Sequence, residues 1–250
     1  KELYWSNNQI TEIKRSQDNV IKVLDCSNNN INKLKIITNK LDTINIITNP
    51  LIELQFYYND TFNESIDDFP DSIKILIFGN YFNQPVNCFP NSLETLTFGE
   101  RFNQAVDNLP NSLVTLTFGN DFNQTIETLP NSIIKLKFGK NFNKPINNLP
   151  NSVKDLIFNS NSIFNQSIDY LPVQLNNLTL GSNFNQQIDN LPNTLSNLTF
   201  CLNESIFNQY IEHLPSSLTK LNLGGSFNKS VDLLPNTLTH LTLGHLTVQL

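Results

Sequence analysis

The sequence predicts a repeat solenoid in which right-handed coils of about 20 residues stack into a curved array, with a parallel β-sheet on the concave face. Turns or short 3₁₀ segments are predicted on the convex side. Two observations carry this. The pair Phe-Asn recurs at Phe62, Phe82, Phe102, Phe122, Phe142, Phe164, Phe184, Phe207 and Phe227, in steps of 20, 20, 20, 20, 22, 20, 23 and 20 residues. A proline recurs with it, at Pro70, Pro90, Pro110, Pro130, Pro150, Pro172, Pro192, Pro215 and Pro235. Nine copies at one period mean coils too small to fold alone, which bury a core between neighbours.

One clean unit, Pro90 to Leu109, reads PNSLETLTFGERFNQAVDNL. Its apolar positions Leu93, Leu96 and Phe98 form L-x-x-L-x-F, and the two-residue step from Leu96 to Phe98 marks a short strand. Equivalent strands at a constant interval hydrogen-bond side by side, about 4.8 Å apart. The glycine after the strand, as at Gly79, Gly99 and Gly119, is read as permitting a positive φ or a tight bend where the chain leaves the sheet. Asn159 and Cys201 stand in its place in the two coils with insertions, around residues 159–163 and 202–206, which are expected to bulge outward. The Pro-Asn-Ser run ahead of each strand halts any helix and turns the chain back to the sheet. The repeated Phe is expected in an internal stack, and the Asn beside it in a hydrogen-bonded ladder between coils.

The first 60 residues follow a more ordinary leucine-rich pattern. Ile21, Leu24, Cys26, Asn29, Ile31 and Leu34 fit L-x-x-L-x-C-x-x-N-x-I-x-x-L, and between Leu34 and Phe56 the pattern recurs every 10 residues, at Leu34, Ile44 and Leu54. That is half a coil, and the sequence leaves open which of these is strand and which is the return side. The chain is accordingly divided into leucine-rich-repeat-like coils over 1–60 and a nine-repeat array over 61–250, continuous as one solenoid.

The unit L-P-N-S-L-x-x-L-x-F-G-x-x-F-N-Q-x-I resembles the FNIP repeat, a leucine-rich-repeat relative of about 20 to 22 residues known mainly from social amoebae and giant DNA viruses of amoebae. The match runs from about residue 61 to 245. The resemblance implies a leucine-rich-repeat-like fold and a use in substrate recognition for ubiquitin ligases, where such arrays accompany an F-box-like segment. No F-box-like helical pattern is visible in these 250 residues.

Composition narrows the function classes. The net charge is −6 and the 16 basic residues are scattered, so nucleic acid, which needs clustered Lys and Arg, is not an expected partner. No apolar run approaches the ~18–20 residues of a membrane span, and no membrane partner is expected. Cys26, Cys88 and Cys201 are odd in number and widely spaced, which fits a reducing compartment and an intracellular, cytoplasmic location, in a host cell or a virion if the source is viral. Asparagine supplies roughly one residue in six, so glycosylation sequons such as Asn123-Gln124-Thr125 arise by chance. His213, His240 and His245 form no metal-ligand pair on one element, and no nucleophile elbow or phosphate loop appears. Catalysis, cofactors and metals are not expected.

Two rows remain as candidate surfaces. The strand positions pointing away from the core place Ile75, Thr95, Thr115, Lys135, Asp155 and Asn177 in one line and Ile77, Thr97, Thr117, Lys137, Ile157 and Thr179 in the next. They change in chemistry along an otherwise regular frame, as a protein-recognition face does, although threonine also suits any solvated strand. A second row reads Asp67, Asn87, Asp107, Glu127, Asn147, Asp169, Asp189, Glu212 and Asp232, either caps for the turn before Leu-Pro or an acidic ridge. The expected function is a protein–protein interaction module. The alternative is a structural part of an assembly such as a virus particle, self-associating through uncapped ends.

Overall fold

The structure, a computed structural model, describes residues 2–4, 23–25, 33–36, 43–45, 51–56, 62–66, 69–202, 204–244 and 246–249. Every regular element among them is a strand. In chain order these are β1 (Glu2–Tyr4), β2 (Val23–Asp25), β3 (Lys33–Ile36), β4 (Thr43–Asn45), β5 (Glu53–Phe56), β6 (Ile75–Ile77), β7 (Thr95–Thr97), β8 (Thr115–Thr117), β9 (Lys135–Phe138), β10 (Asp155–Phe158), β11 (Asn177–Leu180), β12 (Asn197–Phe200), β13 (Lys220–Leu223), β14 (His240–Leu243) and β15 (Leu246–Gln249). The chain forms two compact units, Lys1–Phe122 and Asn123–Leu250. Each is a solenoid of stacked coils.

In the first unit β3, β5, β6, β7 and β8 pair in parallel, with Leu54 opposite Leu76, Leu76 opposite Leu96 and Leu96 opposite Leu116. The half-coil recurrence has a definite outcome: Leu34, Ile44 and Leu54 all lie on strands. β4 joins β2 and β1 in a separate three-stranded parallel sheet, Leu3 opposite Leu24 and Leu24 opposite Ile44. Strands therefore alternate between two sheets every 10 residues here, and the strand of the leucine-rich motif at Leu24 belongs to the smaller one. In the second unit β9 to β14 form a parallel sheet with the same register, Leu136, Leu156, Leu178, Leu198, Leu221 and Leu241 in one line. After Gly244, at φ 57°, β15 turns back and pairs antiparallel with β14. β15, and not β14, is thus the last strand of this sheet.

Alternation explains the short strands. In β7 Leu96 is fully buried while Thr95 and Thr97 are half-buried, and the same pattern holds in β6 and β8. Behind each sheet the phenylalanines form two packed columns. Phe62, Phe82, Phe102 and Phe122 stack at 6.2 Å between ring centroids, and each of Phe82 and Phe102 lies on its strand-end partner, Phe78 at 4.0 Å and Phe98 at 3.7 Å. The second unit repeats this with Phe142, Phe164, Phe184 and Phe207. These rings are the core.

The return side of the 20-residue coils consists of turns. Pro-Asn-Ser-Leu closes a β-turn, in which the Leu93 N–H donates to Pro90 O at 3.1 Å. Its serine does more than end a strand approach: Ser92 Oγ donates to Ile73 O, Ser112 Oγ to Leu93 O and Ser152 Oγ to Ile133 O, at 2.7–2.8 Å, stitching each turn to the coil before. The glycine after the strand has a different reason from the one expected. Gly244 alone among the described glycines has a positive φ. A Cβ on Gly99 would stand 2.0 Å from Gly79 O, so close approach of successive coils excludes a side chain there.

Candidate functional site

The asparagine ladder exists and runs in one direction. The Asn83 N–H donates to Asn63 Oδ1 at 2.7 Å and the Asn103 N–H to Asn83 Oδ1 at 2.8 Å. In the second unit Asn143, Asn165, Asn185, Asn208 and Asn228 continue it, each backbone N–H bonded to the preceding amide oxygen. The neighbouring glutamine joins in: Gln104 Nε2 donates to both Asn83 O and Asn83 Oδ1. Asn83→Ala should therefore cost about 1–2 kcal/mol by leaving the Asn103 N–H without its acceptor. Gln104→Ala should cost less, since Asn83 Oδ1 keeps the Asn103 N–H; equal shifts in denaturant midpoint would show that the backbone bond contributes nothing.

Outside the core and the ladder, the candidate surface is the outward face of the sheets. In the first unit Ile75, Thr95 and Thr115 are paired across strands, as are Ile77, Thr97 and Thr117, all half-buried. Glu53 and Gln55 of β5, missed in the sequence because the register before Phe56 was open, extend these rows opposite Ile75 and Ile77. In the second unit Lys135 is opposite Asp155 and Asp155 opposite Asn177, while Lys137, Ile157 and Thr179 form the adjacent row. Lys135 and Lys137 are exposed, and among the described residues no ion pair engages either ammonium. Asp155 turns instead toward Asn177, whose Nδ2 donates to Asp155 Oδ1, and Asn197 Nδ2 donates to Asn177 Oδ1. Three successive coils thus carry a polar chain that fixes their side chains in place.

In two coils the acidic row forms local turns, at Asp169 and Asp232. Asp67 lies outside the described residues. Ser167 Oγ donates to Asp169 Oδ2 at 2.6 Å and accepts the Asp169 N–H at 3.2 Å, and Ser230 and Asp232 repeat this. The Ser167 hydroxyl, and then the Asn190 amide at 3.0 Å, hold the Asp169 carboxyl below the usual carboxylate range. His213 Nδ1 lies 3.3 Å from Asp189 Oδ1 on the surface. Among the described residues no group of three or more His, Cys, Asp or Glu is placed to hold a metal, and no helix is long and apolar enough to cross a membrane. His245 lies outside the described residues.

Five stretches, residues 62–87, 85–121, 122–161, 164–202 and 207–245, match the FNIP Repeat family. The chain belongs to the FNIP-repeat family. CroV588, described as a novel circular LRR protein, is 35% identical over 97% of this chain and 43% of its own, with a TM-score of 0.66. YopM from Yersinia enterocolitica WA-314 is 19% identical over 96% of this chain and 63% of its own, with a TM-score of 0.58, a likeness of fold. The chain thus spans less than two thirds of either neighbour's length. No curated protein matches it. The FNIP-repeat coils are leucine-rich-repeat-like throughout, an architecture typical of protein–protein interaction scaffolds.

Proposed function

We propose that this FNIP-repeat chain is a recognition scaffold that binds another protein through the outward face of its sheets. One observation carries the reading. Inward positions repeat one chemistry from coil to coil, Leu after Leu and Phe after Phe. The outward positions, held on the same ladder, pass from Ile and Thr in the first unit to Lys, Asp and Asn in the second. A frame that needs no particular residue outside, yet changes its outward chemistry from Ile and Thr to Lys, Asp and Asn along the stack, is free to encode a partner. The exposed Lys135 and Lys137 are its clearest charged feature in an acidic protein, and charge at an interface governs specificity and on-rate.

Immobilised chain would capture partners from an amoebal lysate, with identification by mass spectrometry and affinities then measured on the purified partner. Lys135→Glu with Lys137→Glu should weaken binding by about tenfold or more and leave thermal unfolding within about 0.5 kcal/mol, since both side chains are exposed. Asp107→Lys with Glu127→Lys should change little. The reverse outcome would transfer recognition to the return side. The ubiquitin-ligase use implied by the family resemblance is a narrower form of this reading; ligase subunits among the captured proteins would support it.

A further inference from the structure

The two long steps of the array, 22 residues from Phe142 to Phe164 and 23 from Phe184 to Phe207, create two loops beside the sheet of the second unit. Both are locked by the same device. Ser162 is fully buried and its Oγ accepts the Phe164 N–H at 3.2 Å; Ser205, 1% exposed, does the same for Phe207 at 3.2 Å. The glycine one coil later packs on each serine, so that a Cβ on Gly181 would lie 2.6 Å from Ser162 Cβ and one on Gly224 2.2 Å from Ser205 Cβ. The extra residues are therefore held outward in set positions. A cavity of about 440 Å³ is lined by Thr179, Thr199 and Asn222 from the sheet face, by Asn161 from the first loop and by Leu202 and Glu204 from the second.

Two features define what this cavity accepts. Asn222 Oδ1 is buried without a hydrogen-bond partner, the one side-chain nitrogen or oxygen in that state among the described residues. Such an acceptor is costly to leave unmet, and because the oxygen itself is buried, a bound donor meets it by turning the Asn222 amide toward the cavity that this residue lines. Glu204 is exposed, and the lining holds no Lys or Arg to answer its charge. Lys220, two residues back along β13 on the same face, does not line the cavity. We propose that the cavity receives a basic side chain of the bound protein. The alkyl stem lies against Leu202 and the threonine methyls, and the N–H groups donate to Asn222 Oδ1 and the Glu204 carboxylate. This deepens the scaffold reading and rests on it, by giving the partner's chemistry at one place on the face.

The test titrates the intact ¹⁵N-labelled chain with N-acetyl-arginine amide, N-acetyl-lysine amide and the neutral N-acetyl-glutamine amide, following the Asn222 side-chain amide. The basic amides should shift that signal and the Thr199 and Glu204 backbone amides saturably, and the glutamine amide should bind more weakly. Glu204→Gln, at an exposed position, should weaken the basic amides about threefold, as an exposed ion pair does, with an unchanged spectrum elsewhere. Asn222→Thr, which copies Thr179 and Thr199 in the same row, should fold and lose the interaction. Equal binding of the neutral amide, no shift at Asn222, or Glu204→Gln without effect would each overturn the proposal. Lys135→Glu with Lys137→Glu lies outside the cavity and should leave this titration unchanged. A failed titration therefore removes the basic-side-chain site, while the scaffold reading stands or falls on those lysines.

Discussion

Phe102→Ala is expected to destabilise the first unit by about 3–5 kcal/mol, the range for a large aromatic removed from a core that cannot collapse around the hole. Phe102 is 1% exposed. Its ring lies on Phe98 at 3.7 Å and between Phe82 and Phe122 at 6.2 Å on either side. Three coils therefore lose packing at once. The hydrogen-bonded backbone on both sides prevents them from closing in, because Arg101 N–H is tied to Asn80 O and Asp121 N–H to Glu100 O, at 2.9 and 2.7 Å. A denaturant titration followed by circular dichroism gives the midpoint, and native-state hydrogen exchange at Phe98, whose N–H donates to Thr97's neighbour Thr117 at 2.9 Å, locates the loosened coils. A midpoint equal to the parent's would place Phe102 at the surface.

What was legible in the sequence is what the repeat must do in every coil. A 20-residue period with Leu96 and Phe98 alternating around Thr97 specifies a strand, its buried face and its neighbour in the sheet. The Asn103 ladder was legible too, because a backbone leaving the sheet needs acceptors wherever it turns. The rest depends on distances that spacing does not contain. A pattern cannot say that a Cβ at Gly99 meets a backbone oxygen, so the residue is assigned to φ instead. Likewise, the serine of Pro-Asn-Ser reads as a turn former, while its bond to the previous coil appears only once coils are stacked. Before Phe56 the 10-residue recurrence was visible, but alternation alone does not tell one sheet from two, and β4 lies in the smaller one.

The candidate surface divides the same way. The rows of Lys135 and Lys137 follow from strand alternation. The polar chain from Asn197 through Asn177 to Asp155 does not, since it needs three side chains to find one another across coils. The irregular steps at residues 159–163 and 202–206 were a visible sign, read as outward bulges; that they flank one cavity over Thr179, Thr199 and Asn222 depends on their alternate positions along the stack.

Gly99→Ala is expected to cost about 3 kcal/mol or more, at the top of the range for overpacking, although the substitution adds a single methyl group. The added Cβ would lie 2.0 Å from Gly79 O, 2.4 Å from Gly79 C and 2.7 Å from the Asn80 Cα. All three are backbone atoms, so no side chain can swing aside. Relief requires the coils to separate, which pulls on the β6–β7 pairing and on the Phe78–Phe98 stack at 5.5 Å. Gly119→Ala should behave alike, its Cβ falling 2.0 Å from Gly99 O. Gly225→Ala is the control: the nearest atom to its Cβ is Leu202 O at 3.8 Å. There the outcome should be neutral or stabilising by up to about 1 kcal/mol, because alanine narrows the unfolded ensemble. Denaturant midpoints of the three variants measured side by side decide the matter. Were Gly99→Ala to unfold with Gly225→Ala, the coils would have slack at the strand exit, and close approach would not be the reason for the repeated glycine.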